Sequence, residues 1–332
     1  MKLRPYQEAA VAAVYDHLRE RADNPCVVIP TGGGKTPVLA TVSKDAVARW
    51  RGRVLVLAHV RELLEQAEEK ILRVAPEMGD CIGVYSAGLG RRDTRRPVTI
   101  AGIQSVYRRA SELGRFELVL IDEAHMIPPD GEGMYRTFLQ DAREMNPNLR
   151  VVGLTATPYR MNSGMICGPH NVLNEVCFEI GVKELIVRGY LSPLVTKTGG
   201  EKVDTSALHV RAGEFVPSET EDLMDTDPLV ESACREIVKQ TRTRRSVLIF
   251  ASGVRHGRHV ARMMRESFGA DVDSVFGDTL GLDRDRVISA FKGGKLKYLV
   301  NVNVLTMGFD APGIDCVAMV RPTLSPGLYY QM

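Results

Sequence analysis

Three consecutive glycines, Gly32, Gly33 and Gly34, are followed by Lys35 and Thr36. Glycine carries no side chain, so backbone N–H groups in such a run can turn toward phosphate oxygens that side chains would otherwise obstruct. A helix starting at the end of the run favours the same negative charge. Thr31 opens the loop, Lys35 can reach the terminal phosphates of a nucleotide, and the Thr36 hydroxyl can hold Mg²⁺. The strict phosphate-loop spacing asks for glycine at position 29, and this chain has Ile29 there. A second constellation supports the first. The run "ELVLIDEAH" (117–125) is an apolar strand that ends in two carboxylates. Asp122 at the strand tip can orient the water shell of a metal ion. Glu123 beside it can accept a proton from an attacking water.

These groups need elements to hold them, and the pattern along the chain supplies them. Short apolar runs recur at 26–30, 53–58, 97–102, 117–122 and 150–156, with amphipathic stretches such as 60–74 between them. Near-continuous apolar strands alternating with helices predict a parallel sheet covered on both faces. The rhythm breaks after residue 160. Residues 161–228 read as an irregular accessory segment rich in Gly, Asp and Thr. Alternation returns with helices at 229–241, 255–267 and 284–292 and strands at 246–252, 271–276, 297–303 and 315–322. The expected organisation is an α/β domain over 1–160, a linker over 161–228, and a second α/β domain over 229–332.

The chain has 332 residues, with 43 Lys and Arg against 41 Asp and Glu, a net charge of +2. Charge alone therefore does not announce a nucleic-acid partner. Six cysteines are scattered without a disulfide framework, which fits a reduced cytoplasmic protein. Cys167, His170 and Cys177 match no standard zinc spacing. The N-terminus has no apolar signal core, and no run approaches the length of a membrane span.

At this point the motifs resemble a family. "PTGGGKT", "DEAH" and "LTATP" (154–158) look like the motifs of superfamily 2 helicases and translocases of the DEAH-box type. The resemblance covers almost the whole chain, and several segments are most similar to the bacterial DNA-repair helicase RadD branch and its phage relatives. It implies two RecA-like P-loop NTPase domains, ATP and Mg²⁺ as ligands, nucleic acid as partner with DNA favoured over RNA, and a bacterial or phage-encoded cytoplasmic setting. In the family, the Gln of "LRPYQ" (3–7) contacts adenine, which points to Gln7. Thr155 and Thr157 correspond to the residues that couple hydrolysis to domain movement, and His125 to one that bridges toward the second domain. Thr306, Gly308 and Asp310 match a T-x-G-x-D arrangement, implying a DNA contact for Thr306 and a contact near the ribose or opposing domain for Asp310. The nucleic-acid backbone is expected at His59, Arg61, Gln104, Ser105, Ser252, Gly277, Thr279 and Thr306. Such polar strand-end groups bind phosphates without raw charge and carry little base information.

The alternatives are a restriction-enzyme motor subunit and a nucleotide-gated clamp with little hydrolysis. The final stretch, "RPTLSPGLYYQM" (321–332), reads as a turn and the start of a helix. In the family a Q-x-x-G-R-x-x-R helix stands here, and its arginines fall beyond Gln331. The expectation is that the second domain is incomplete at its C-terminus, as a piece of a longer motor. Two other readings stay open: the remainder is supplied separately, or the protein binds without turnover.

Overall fold

The computed structural model describes residues 2–59, 61–128, 133–160, 164–211, 213–306, 309 and 311–331. Its contacts divide the chain into two units, Met1–Pro193 and Leu194–Met332.

The first unit begins with α1 (Pro5–Glu20), β1 (Pro25–Val28), α2 (Lys35–Ala48), β2 (Val54–Ala58) and α3 (Arg61–Val74). It continues with β3 (Ile82–Ser86), β4 (Arg91–Arg92), β5 (Val98–Gly102), α4 (Ile103–Val106) and α5 (Ala110–Leu113). Then come β6 (Leu118–Ile121), α6 (Met134–Met145), β7 (Arg150–Thr155), the short pair β8 (Tyr159–Arg160) and β9 (Gly164–Met165), β10 (Glu175–Glu179) and α7 (Val182–Val187). Eight strands form one sheet in the order β10-β1-β7-β6-β2-β5-β3-β4, parallel except for the antiparallel β3–β4 pair.

Side-chain alternation along each strand splits the core in two. Val27, Val54, Val56 and Ile100 face a cluster completed by Ala10 of α1, Leu39 of α2 and Ile71 of α3. Cys26, Leu55, Leu57 and Val119 face the other, completed by Phe138 and Leu139 of α6. Both faces are apolar because helices cover both, which is why these strands read as continuous hydrophobic runs. Leu57 is fully buried, so truncation to alanine there costs about 2–5 kcal/mol.

The second unit holds the hairpin β11 (Val210–Arg211) and β12 (Glu214–Phe215), then α8 (Pro217–Met224), α9 (Asp227–Gln240), β13 (Val247–Ala251) and α10 (Val254–Phe268). β14 (Val272–Val275), α11 (Gly281–Lys292), β15 (Tyr298–Asn301), β16 (Cys316–Val320) and α12 (Pro326–Gln331) follow. Its four strands run parallel in the order β14-β15-β13-β16.

The expected linker 161–228 is the main correction. β10 adds to the first sheet beside β1, with Pro25 opposite Glu175 and Val28 opposite Glu179. Residues up to Pro193 therefore belong to the first unit, and α8 belongs to the second. A five-residue strand flanked by exposed Glu175 and Glu179 lacks the apolar continuity that marks the central strands. An edge strand buries little, so its sequence carries little hydrophobic signal.

Candidate nucleotide site and nucleic-acid edge

Because the strands run parallel, their carboxyl ends share one edge of the sheet, where ligands of such folds bind. The phosphate-loop residues 29–36 follow β1, Asp122 and Glu123 follow β6, Thr155 ends β7, His59 follows β2, and Gln104 and Ser105 follow β5.

The loop is built from glycine out of geometric need. Gly32 and Gly34 have φ of 75° and 83°, the left-handed region. A Cβ at Gly33 would lie 2.7 Å from Ile29 Cγ2 and 2.9 Å from the Pro30 carbonyl oxygen, and one at Gly34 would lie 2.5 Å from Gln7 Nε2. Thr31 and Gly32 are exposed at its crest, whereas Lys35 and Thr36 are half-buried where α2 begins.

Gln7, expected at the adenine, braces the phosphate loop from behind. It is buried, its Oε1 accepts from the Arg4 N–H at 2.9 Å, and its Nε2 donates to the Gly34 and Gly33 carbonyls at 3.2 and 3.4 Å. The Tyr6 hydroxyl also donates to the Gly33 carbonyl. Gln7 and Tyr6 thus hold the outer wall of the loop. Sequence reading missed a further support. Leu185 of α7 reaches within 3.0 Å of the Gly33 Cβ position and Leu191 within 3.2 Å of that of Gly32. Tyr190 meets Tyr6 edge-on at 5.2 Å and lies under the Arg4 guanidinium at 4.8 Å. The spacing of Val182, Leu185 and Ile186 was the available signal for α7.

The chemistry sits opposite Lys35. Glu123 adopts φ 49°, a left-handed conformation uncommon for a non-glycine residue and one that gathers at functional sites. Its Oε1 lies 3.5 Å from Lys35 Nζ and its Oε2 3.4 Å from His125 Nδ1. Oε2 is buried without a hydrogen-bonding partner among the described residues. Asp122 accepts the Glu123 N–H at 2.9 Å, while its own N–H donates to the Leu57 carbonyl at 3.0 Å. Burial, reinforced by the Glu123 carboxylate, pushes Asp122 up to about 6. Burial would raise Glu123 as well, but the Lys35 ammonium and His125 outweigh it and hold Glu123 down at about 2. Glu123 is the stronger acid of the pair.

His125 leads away from the carboxylate into a threonine pair. Thr155 Oγ1 donates its single hydrogen to the Thr157 carbonyl at 3.0 Å and accepts the Thr157 N–H at 3.1 Å. His125 Nδ1 lies 3.1 Å from the same oxygen. With the hydroxyl hydrogen already committed, Nδ1 must carry the proton. That N–H goes to Thr155, and Glu123 Oε2 lies 3.4 Å from the same nitrogen without a hydrogen bond.

The site fits the expected metal. Two adjacent carboxylates, one of them raised by burial and by its neighbour's charge, form with the nearby Thr36 hydroxyl an oxygen donor set suited to a small divalent cation.

The residues expected to meet nucleic acid fall into two groups. In the first unit, Gln104 Nε2 donates to the His59 carbonyl at 2.7 Å and Ser105 Oγ accepts the Ala87 N–H at 3.1 Å. The loops after β2, β3 and β5 are thereby tied together. His59 Nδ1 is buried without a partner among the described residues, and burial, then His125 and Arg160, hold the ring below its usual range. The side chain of Arg61, on α3, lies outside the described residues, as do Gly308 and Asp310.

In the second unit the polar groups lock onto their own loops. Ser252 Oγ lies 2.6 Å from His256 Nδ1, which also accepts the Ser252 N–H at 3.3 Å. Thr279 Oγ1 accepts the Phe276 N–H at 2.9 Å, and Thr306 Oγ1 donates to the Asn303 carbonyl at 3.2 Å. Gly277 is exposed, and a Cβ there would meet nothing.

Comparison with known proteins agrees with this architecture. Residues 1–160 match the family model described as type III restriction enzyme, res subunit, and residues 229–332 the helicase conserved C-terminal domain. The chain is 27% identical to IRC3 of Saccharomyces cerevisiae over 99% of its own length and 48% of that protein. It is 26% identical to the DNA 3'-5' helicase XPB of Kineococcus radiotolerans over 93% of itself and 52% of that protein. The structure of S. cerevisiae Dbp5 bound to RNA and ADP BeF3 superposes with a TM-score of 0.64 at 18% identity, covering 99% of this chain and 79% of that one. The chain spans about half the length of the curated relatives it matches. Two family models in succession, over two RecA-like α/β units whose first sheet carries the phosphate loop and the paired carboxylates, give this chain the domain pair of the superfamily 2 helicases.

Proposed function

We propose that this chain is an ATP-driven DNA translocase or helicase of the RadD-like branch, in which Glu123 positions and deprotonates the water that attacks the terminal phosphate. The observation that carries the reading is the Lys35–Glu123–His125–Thr155–Thr157 chain of contacts. It joins the group that meets phosphate to the strand end implied in coupling. Lys35 binds the terminal phosphates and, in their absence, keeps Glu123 ionised. Glu123 accepts the proton of the attacking water at Oε2, the atom without a hydrogen-bonding partner. His125 lies 3.4 Å from that oxygen and gives its Nδ1–H to Thr155. Asp122 and Thr36 would hold Mg²⁺, which when bound offsets the negative charge of the transferring phosphate. DNA is favoured because the N-terminal match is to a restriction-enzyme subunit and one relative is named as a DNA helicase.

The test compares steady-state ATP turnover with no strand, with single-stranded DNA and with single-stranded RNA of one sequence. DNA should stimulate most, and Glu123→Gln should still bind ATP while hydrolysis falls by about 10²–10⁴. Equal stimulation by RNA would overturn the DNA preference. A Glu123→Gln variant that hydrolyses normally would remove Glu123 from the chemistry.

A further inference from the structure

Past Gln104 and Ser105, the carboxyl edge of the first sheet opens into a cleft of about 280 Å³ among Arg92, Gln104, Ser105, Tyr107, Arg108 and Arg109. Its floor is rigid. Ser105 is bonded to the loop after β3 and Gln104 to the loop after β2. Arg92 stands directly across from Tyr85 in the β3–β4 pair, which sets it on the rim. Tyr85 OH donates to Glu112 at 3.1 Å, and Arg109 braces both, 3.3 Å from Glu112 and 3.5 Å from the Tyr85 oxygen. The Arg108 guanidinium lies 5.1 Å above the Tyr107 ring.

The charges are unbalanced. Nearby arginines are spent on carboxylates, Arg91 on Glu68 and Arg96 on Asp93. Arg92 and Arg108 are exposed, and neither has a carboxylate partner among the described residues. Free guanidinium groups beside an aromatic face are the means by which proteins hold a single strand, phosphate on the cation and base on the ring. An acidic peptide would use the arginines but leave Tyr107 unexplained.

We infer that this cleft is an additional nucleotide subsite, continuing the strand beyond Gln104 and Ser105. One phosphodiester lies between Arg92 and Arg108, and its base stacks on Tyr107. The inference rests on the reading of this chain as a nucleic-acid motor.

The test is fluorescence anisotropy of a labelled single-stranded DNA and its RNA equivalent across a salt series, using the full chain. Arg92→Ala with Arg108→Ala should flatten the slope of log affinity against log salt by about 0.7, the loss of one single-strand phosphate contact. Tyr107→Ala should weaken binding by roughly tenfold, and Tyr107→Phe should restore it. Strand-free ATP turnover of all three should match the parent, which also certifies folding. Ultraviolet crosslinking of a 4-thiothymidine strand should label the peptide containing Tyr107. Parent binding with an unchanged slope in the double variant and no crosslink at Tyr107 overturns the subsite while the motor reading stands. A parent that binds neither strand defeats the motor reading itself.

Discussion

The two sheets share one architecture and use their carboxyl edges in opposite ways. At the first edge ionised groups face one another: Lys35, Glu123 and the Nδ1–H of His125 lie within 3.5 Å in a chain. At the second edge the partners are neutral: Ser252 with His256, Asn301 with the Ile249 carbonyl, Thr306 with the Asn303 carbonyl. The first arrangement suits chemistry on a polyanion, because the charges are already placed and desolvated. The second suits holding strand-end loops in shape, where backbone N–H groups can donate to a phosphate. One kind of fold supports both because the function lies in the strand-end residues.

The contrast breaks most severely at Lys35. Lys35→Ala removes the cation that holds Glu123 ionised and meets the phosphates, so turnover should fall by about 10²–10³ with weaker ATP binding. Turnover at the parental rate, with unchanged nucleotide affinity, would show the first edge to be no more charged in function than the second.

On the neutral side the sharper probe is pH. Burial holds the buried His256 down at about 4, where an unfolded histidine titrates near 6.5. Between those values the unfolded chain binds a proton and the folded one does not. Stability is therefore full above about 6.5 and is lost as pH falls toward 4, by about 3 kcal/mol at most. Asp225 and Glu221 oppose the shift, and His259 and Arg255 add to it. Denaturant unfolding at pH 7.5 and 5 should show this loss, and His256→Asn should shrink it. An identical pH dependence in the variant would refute the neutral lock.

A smaller effect is expected at the junction. Thr155→Val deletes a buried hydroxyl that serves three partners, at a cost of about 1–3 kcal/mol. Calorimetry of the variant should show that drop, and strand-stimulated turnover should fall more than strand-free turnover. The reverse pattern would place Thr155 in the chemical step.

The smallest expected change comes from Gln7→Ala, which loosens the outer wall of the loop by about 1 kcal/mol. ATP affinity should weaken modestly with no change in preference among purine nucleotides. A loss confined to adenine nucleotides would assign Gln7 the base-reading role.

Much of this was legible in the sequence, for identifiable reasons. Strands buried on both faces, such as "VLVLA" (54–58), declare themselves by continuous apolar residues, and helices α9 and α10 by their periodicity. The glycine loop and the carboxylate pair were legible because each chemistry restricts residue type. β10 was hidden because an edge strand need not be apolar, and the tyrosine and leucines of 185–191 because their partner, the loop, is distant in sequence. The engagement of Gln7 could not be read at all, since a glutamine amide serves backbone and ligand equally well.

The position of β10 has a bearing on how this chain can be handled. A protein cut after residue 160, at the limit of the N-terminal family match, would leave β1 with no neighbour on that side. The bared strand, Pro25–Val28, is wholly apolar and carries no charge to discourage a second molecule from pairing with it. In the intact chain Glu175 and Glu179 stand on that outer strand, the device by which natural sheets resist edge-to-edge association. The shorter fragment should accumulate as insoluble aggregate, and one ending at Pro193 should remain dispersed.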